Sequence, residues 1–256
     1  MSGFVDIHSH FLWGLDDGPQ DAATSLEMLR IAAENGTSDI VATPHSDLHF
    51  QFQPDEIENR IRQLNEAPGP KPRLHRGCDF HLHFDNINDC FVNPTKYTIN
   101  HLRYLMVEFS DLSIPKSADQ VFERMLQVGI TPVITHPERN MLLMNAIPQL
   151  VEWVHRGCLI QVTAQSFLGR FGKQAQNAAS DLMTTGMVHF IASDAHDPVQ
   201  RPPDLKPAYA LISKRYGETR AEQLFCTNPA ATLTGETLVV DMPESVGPRR
   251  KWFQFW

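Results

Sequence analysis

Phe4-Val5-Asp6-Ile7-His8-Ser9-His10, with Asp16-Asp17-Gly18 just beyond it, is the stretch from which the fold can be read. It is a short apolar run that ends in two imidazoles and is followed by two carboxylates. On an extended strand, residues i and i+2 point the same way, so Asp6, His8 and His10 share a face. Two histidines at that spacing grip one metal ion or two adjacent ones, with carboxylates completing the shell. Taken alone, His-x-His serves equally well as a strand end with solvated or core histidines. The metal reading gains its weight from the same device recurring at the ends of later strands.

Outward from this start, the chain alternates strand and helix. Residues 21–35 carry a helical stripe of Leu26, Leu29 and Ala33, closed by Asn35-Gly36. Residues 39–45 are a second apolar run ending in His45, and residues 54–66 an amphipathic helix with Ile57, Ile61 and Leu64 on one side. After the stiff Pro68-Gly69-Pro70-Lys71-Pro72 connection, residues 74–84 read as one strand on which Asp79, His81 and His83 alternate. The polar residues 86–100 read as an irregular excursion over a barrel mouth. Strands are expected at 104–109 (with Glu108), 131–139 (with His136), 159–165 and 188–193, the last running into Asp194-Ala195-His196. Helices are expected at 117–128, 147–156, 173–185, 205–216 and 220–227, with Asn228-Pro229-Ala230 opening a final one. This is the order of a parallel sheet. About seven strands in residues 1–240 fit a single-domain α/β chain forming a distorted, TIM-like β/α barrel, with a doubly wound open sheet as the alternative. Residues 241–256 form a separate basic and aromatic tail, Arg249-Arg250-Lys251-Trp252-Phe253-Gln254-Phe255-Trp256 at its end. It reads as a tail folded on the domain or frayed, in preference to a docking peptide.

Composition narrows the classes. At 256 residues and 42% hydrophobic, the chain has ample material for a core. A net charge of −8 offers no footprint for nucleic acid. No apolar run reaches the ~18 residues of a membrane span, and the N-terminus lacks signal-peptide character. Cys78, Cys90, Cys158 and Cys226 are widely spaced, as reduced thiols in a cytoplasmic protein would be. None has arginine six positions on: those places hold Phe84, Lys96, Ala164 and Thr232, which excludes the cysteine-based phosphatase mechanism. Gly-x-Ser-x-Gly and a glycine-rich nucleotide loop are absent as well.

The strand-end residues are too many for a closed structural zinc site and too rich in oxygen for zinc alone. Mixed imidazole and carboxylate suits two or three manganese, iron or zinc ions, and such a cluster activates water for hydrolysis. Arg139 and Arg201 follow His136 and His196 closely, and guanidinium forks favour a terminal phosphate.

Asp-Ile-His-Ser-His, Asp-Asp-Gly, Ala-Thr-Pro-His, Val-Glu-Phe, Thr-His-Pro-Glu-Arg and Ala-Ser-Asp-Ala-His, in that order, resemble the PHP (polymerase and histidinol phosphatase) superfamily. Within it, the chain is similar to the bacterial capsule-biosynthesis tyrosine phosphatases of CpsB/CapC type. The resemblance implies a distorted barrel with three divalent cations, usually Mn2+. It implies hydrolysis of phosphotyrosine on a cognate bacterial tyrosine kinase that controls capsular or exopolysaccharide production. Carried over by position, His8, His10 and Asp194 hold one cation, Glu108 and His136 a second, and Asp17, His45 and His196 a third. Asp79 stands where the family usually has a metal-bridging glutamate and is about 1.5 Å shorter in reach, so His81 could contribute from the same face. Asp16 is expected to orient ligands, Arg139 and Arg201 to bind phosphate, and Glu138 is a candidate proton donor. The rivals are a PHP phosphoesterase acting on histidinol phosphate or a nucleotide, and a low-turnover metal-binding regulator that docks a kinase. An oligomer is left open.

Overall fold

The computed structural model describes residues 3–239, so the expected tail lies outside the described residues. Its strands are β1 (Phe4–Ser9), β2 (Thr37–Ala42), β3 (His45–Ser46), β4 (Arg73–Arg76), β5 (Asp79–His81), β6 (Tyr104–Glu108), β7 (Thr131–Thr135), β8 (Leu159–Thr163) and β9 (Phe190–Ala192). All ladders are parallel and fall into two sheets, β1-β2-β4 and β3-β5-β6-β7-β8-β9. Along the chain β3 continues β2 and β5 continues β4, so the strand segments make seven staves, two of them broken midway. The breaks have local causes. Pro44 has no N–H to donate to a ladder. At Gly77 a Cβ would lie 2.9 Å from Val41 Cγ1 and 3.3 Å from Thr43 Cγ2, so a larger residue would push the staves apart.

The staves follow chain order, without the reversal that defines a doubly wound sheet. The last seam is weaker. Among the described residues, β9 and β1 are joined by the isolated bridge Ser9–Ala195. The Asp194 N–H donates to the His8 carbonyl, and the His10 N–H to the Ala195 carbonyl, each at 2.8 Å. The ring is a distorted barrel whose ladder is not continuous.

Alternation along the staves sorts the side chains. Tyr104 and Met106 of β6, Val133 of β7, Leu159 of β8 and Phe190 and Ala192 of β9 join Val5 and Ile7 in one buried cluster. Leu105, Val107, Ile134, Ile160, Val162 and Ile191 pack instead with helix residues such as Met28, Leu29, Phe122 and Trp153. The first parity, continued toward the carboxyl ends, brings up Glu108 after Met106, Gln161 after Leu159 and Asp194 after Ala192. The inner apolar cluster is thus a floor, and the polar residues lie above it.

Several expectations are corrected. Residues 86–100 are not irregular: Phe84–Val92 is a helix and Ile99–His101 a 3-10 turn. Ile87, Cys90 and Phe91 supply the apolar side, while Asn86 is spent on Ser46 and the His81 carbonyl, which disguises the helical period. The single strand at 74–84 is β4 plus β5, and His83 has left the strand to stand at the N-terminus of that helix. Residues 164–167 are a short helix rather than the end of β8, and 223–227 form a π-helical turn. The four cysteines are free and buried, and none of the described helices is long and apolar enough to cross a membrane.

Below β9, His189 carries a pH dependence. It is buried, and its Nδ1 accepts the Ile160 N–H at 3.0 Å, so the ring is neutral with its proton on Nε2. Burial, aided by the Arg220 charge, lowers its pKa to about 3. An unfolded chain takes up a proton near pH 6.5 that the fold refuses, so this share of stability is lost as pH falls from there toward 3. Between pH 7 and pH 5 the loss amounts to about 2 kcal/mol. His189→Asn retains an acceptor without the titration. Urea unfolding at the two pH values should therefore show a drop smaller by about 2 kcal/mol than in wild type. Parallel pH profiles would refute the assignment.

Candidate metal centre

The carboxyl ends of the staves bring together side chains from distant parts of the chain. Four groups of ligand atoms each lie within 4.8 Å of one another: His8–His10–Asp194, His10–Asp17–His45–His196, His8–Asp79–His136 and His45–His81–Glu108. His8 and His10 leave β1 with their rings 5.3 Å apart, His10 and His196 lie 4.0 Å apart, and His10 and His45 4.4 Å. Asp194 and His136 sit just past β9 and β7 in the left-handed region, at φ of +51° and +31°. Few residues without a glycine's freedom stay there, and such strain concentrates where side chains must be aimed.

The rings are oriented from behind. His8 Nδ1–H donates to Gln161 Oε1 at 2.9 Å, His10 Nδ1–H to Asp16 Oδ2 at 2.7 Å and His196 Nδ1–H to the Asp194 carbonyl at 3.0 Å. Each hydrogen bond turns Nε2 into the cluster, as is usual for metal-binding imidazoles. Asp16 thus has the orienting geometry expected of it, and its Oδ2 also accepts the His45 N–H at 3.1 Å. Gly18 allows this turn, since a Cβ there would stand 2.2 Å from the His10 carbonyl oxygen. His45 faces two ways, with Nε2 3.4 Å from Asp17 and Nδ1 3.2 Å from Glu108.

Several features of this arrangement call for positive charge. His8 and His10 point their Nε2 atoms at each other across 3.2 Å, although both rings already use Nδ1 as the donor. Two lone pairs at that distance repel unless a proton or a cation lies between them. Asp79 is fully buried, and neither of its oxygens has a hydrogen-bond partner. A buried carboxylate is costly unless positive charge lies close to it. Its Oδ2 has ring nitrogens of His8 and His45 at 3.3 Å each. Burial opposes a charged His8 ring, yet the Asp79 and Asp194 carboxylates outweigh it and raise its pKa to about 9. His136 goes the other way: burial and the Arg139 charge lower it to about 3, leaving a neutral ring. The donor set fits divalent cations in number, type and charge.

Arg139 and Arg201 do not stand free at a rim. Both guanidinium groups donate to Asp194 Oδ2 at 2.6 Å, and both lie over the Phe171 ring, at 4.6 and 5.7 Å from its centroid. Burial works against the ionised form of Asp194, but Arg139 and the neighbouring His8 hold its carboxyl well below the usual range. Glu138 is held through one oxygen only, while burial raises its pKa and leaves Oε2 without a hydrogen-bond partner. Its Oε1 accepts the Thr163 N–H at 3.1 Å and the Ser166 hydroxyl at 2.6 Å, and it is 2% exposed. Gln161 and Phe171 escaped the sequence reading. A polar residue inside the apolar run 159–163 was the available signal for Gln161, and nothing local marks Phe171.

Fold and site define a distorted parallel β/α barrel with a cluster of imidazoles and carboxylates that could hold metal at its carboxyl mouth. More particularly, the chain belongs to the CpsB/CapC family of capsular polysaccharide synthesis proteins, whose pattern its residues 4–234 match. It is 34% identical to a putative tyrosine-protein phosphatase CapC of Staphylococcus aureus, over 97% of this chain and 98% of that one. It is 30% identical to the tyrosine-protein phosphatase YwqE of Bacillus subtilis, over 98% and 100%. A solved structure from work on YwqE and Streptococcus pneumoniae CpsB, described as unique metal-dependent tyrosine phosphatases, superposes with a TM-score of 0.89 at 29% identity. That match covers 95% of this chain and all of the other. The PHP-type resemblance read from the ordered motifs agrees with this membership.

Proposed function

We propose that this chain is a metal-dependent protein tyrosine phosphatase that acts on phosphotyrosine of a bacterial tyrosine kinase governing capsular or exopolysaccharide synthesis. The observation that carries the reading is the facing His8 and His10 Nε2 atoms beside the fully buried carboxylate of Asp79, with two arginines converging on Asp194 next to them. The four overlapping ligand groups share His8, His10 and His45, and three divalent cations distributed among them are the reading, with manganese the expected ion and iron or zinc the alternatives on donor chemistry. The ligands are His8, His10 and Asp194; Asp79, Glu108 and His136; and Asp17, His45 and His196. The cations, when bound, supply an activated water and offset charge on phosphorus.

The chain's own residues do the rest. Arg139 and Arg201 bind the non-bridging phosphate oxygens, and the Phe171 face beneath them holds both guanidinium planes toward the site. Gln161, Asp16 and the Asp194 carbonyl keep the imidazoles in one tautomer, so their geometry needs no rearrangement when substrate arrives. Tyrosinate, with a parent pKa of ~10, leaves without strong help from a side-chain acid.

Protein stripped by a chelator should lose hydrolysis of a phosphotyrosyl peptide and regain it with manganese. The peptide should be turned over at least about ten-fold better in kcat/KM than histidinol phosphate or a 3′-nucleotide. Undiminished activity in exhaustively chelated protein would end the metal reading. Equal or better rates on the small esters would replace the substrate.

A further inference from the structure

Resting on the metal-centre reading above, the residues of β5 carry one step more. Register sets His81 directly beside Glu108 in the β5–β6 ladder, and Asp79 two residues earlier shares its face. His81 Nε2 lies 2.6 Å from Glu108 Oε2, while Glu108 Oε1 faces His136 Nε2 at 3.5 Å. The Glu108 carboxylate therefore sits between two imidazoles. His45 completes a group with His81 and Glu108 whose ligand atoms all lie within 4.8 Å. Next to this group is Asp79, buried, with the His8 and His45 ring nitrogens 3.3 Å from its Oδ2, on a side chain one methylene shorter than the glutamate that the motif resemblance calls for.

We propose that His81 is a metal ligand: its Nε2 binds the cation that Glu108 holds, and this second donor on β5 makes up for the short reach of Asp79. Two ligands at right angles, each ~2.1 Å from one ion, are about 3.0 Å apart, so the His81–Glu108 pair need part by only ~0.4 Å to admit it. His83, next in the alternation, has already left the strand, so β5 delivers Asp79 and His81 to the site and nothing further. The competing role for His81 is a hydrogen bond that merely positions Glu108.

His81→Gln separates the two, because the amide keeps an N–H donor at similar reach but offers no imidazole; His81→Ala removes both. Chelated full-length wild type and both variants are titrated with manganese, and bound ions are counted by mass spectrometry after dialysis. Both variants should hold one cation at least about ten-fold more weakly than wild type while the others stay bound. Manganese-loaded wild-type crystals should show an anomalous-difference peak within about 2.3 Å of His81 Nε2. Wild-type affinity and stoichiometry in His81→Gln, or a nearest peak beyond ~3 Å, would overturn the assignment and leave the metal centre standing. Wild type that binds no cation would overturn both.

Discussion

Asp194→Asn should lower kcat/KM for a phosphotyrosyl peptide by at least about 10³-fold while the protein stays folded. Asp194 is nearly fully buried and works on two fronts. Its Oδ1 stands 3.5 Å from the Nε2 atoms of both His8 and His10, and its Oδ2 receives both arginines. Removing the charge takes away a ligand and the counter-charge of two guanidinium groups at once. Asparagine preserves the volume, which makes it the cleaner variant. In Asp194→Ala, the buried positive charges left uncompensated should also lower the stability of metal-stripped protein by about 3–5 kcal/mol. Near-UV circular dichroism and thermal melts report the fold, and steady-state kinetics the activity. Binding of the phosphopeptide should survive in part, because the arginines remain. Hydrolysis at the wild-type rate would show that the reaction takes place elsewhere, and would favour the docking regulator over the enzyme.

Arg139→Lys is the second large effect, a loss of about 10²-fold in kcat/KM, with weaker inhibition by inorganic phosphate. Lysine keeps the charge but cannot form a fork, and its ammonium does not stack on Phe171 as a guanidinium does. Arg201→Lys should cost less, about ten-fold, because Arg201 lies farther from the Phe171 ring and is the more exposed of the two. The two arginines share one carboxylate oxygen, so the double variant should fall short of the product of the single losses. A rise in KM with kcat unchanged would mean that the arginines bind substrate and transition state alike. A fall in kcat would mean that they act on charge that develops at phosphorus. Unaltered kinetics and phosphate inhibition in Arg139→Lys would place the phosphate elsewhere.

What could be read in the chain was local. The His8-x-His10 pair, the glycines past the helices and the ligand-type residue at nearly every strand end are written within a few positions of one another. They were enough for the parallel β/α order and for seven staves. The period of two does not extend to Asp6, because the register of β1 shifts between Asp6 and Ser9 and Val5 and Ile7 take the inner side. Where a local signal was diluted, the reading failed. Asn86 helped to conceal the helix Phe84–Val92 because its hydrogen bonds go to Ser46 and His81, far from any apolar pattern. Gly77 and Pro44 hid two breaks in the staves, since a steric limit at one stave depends on which side chain faces it from the next.

The residue types of the centre were therefore determined by sequence: imidazoles and carboxylates at strand ends, with arginines just after two of them. Tertiary structure alone decided how they combine. Asp194 reaches His8 only because the seam between β9 and β1 sets residues 186 positions apart side by side. The tautomers follow from Gln161 and Asp16, and the aim of both arginines follows from Asp194 and Phe171. The physical reason is range. Which way a side chain points is set by its own backbone, whereas what it meets is set by the closure of the ring.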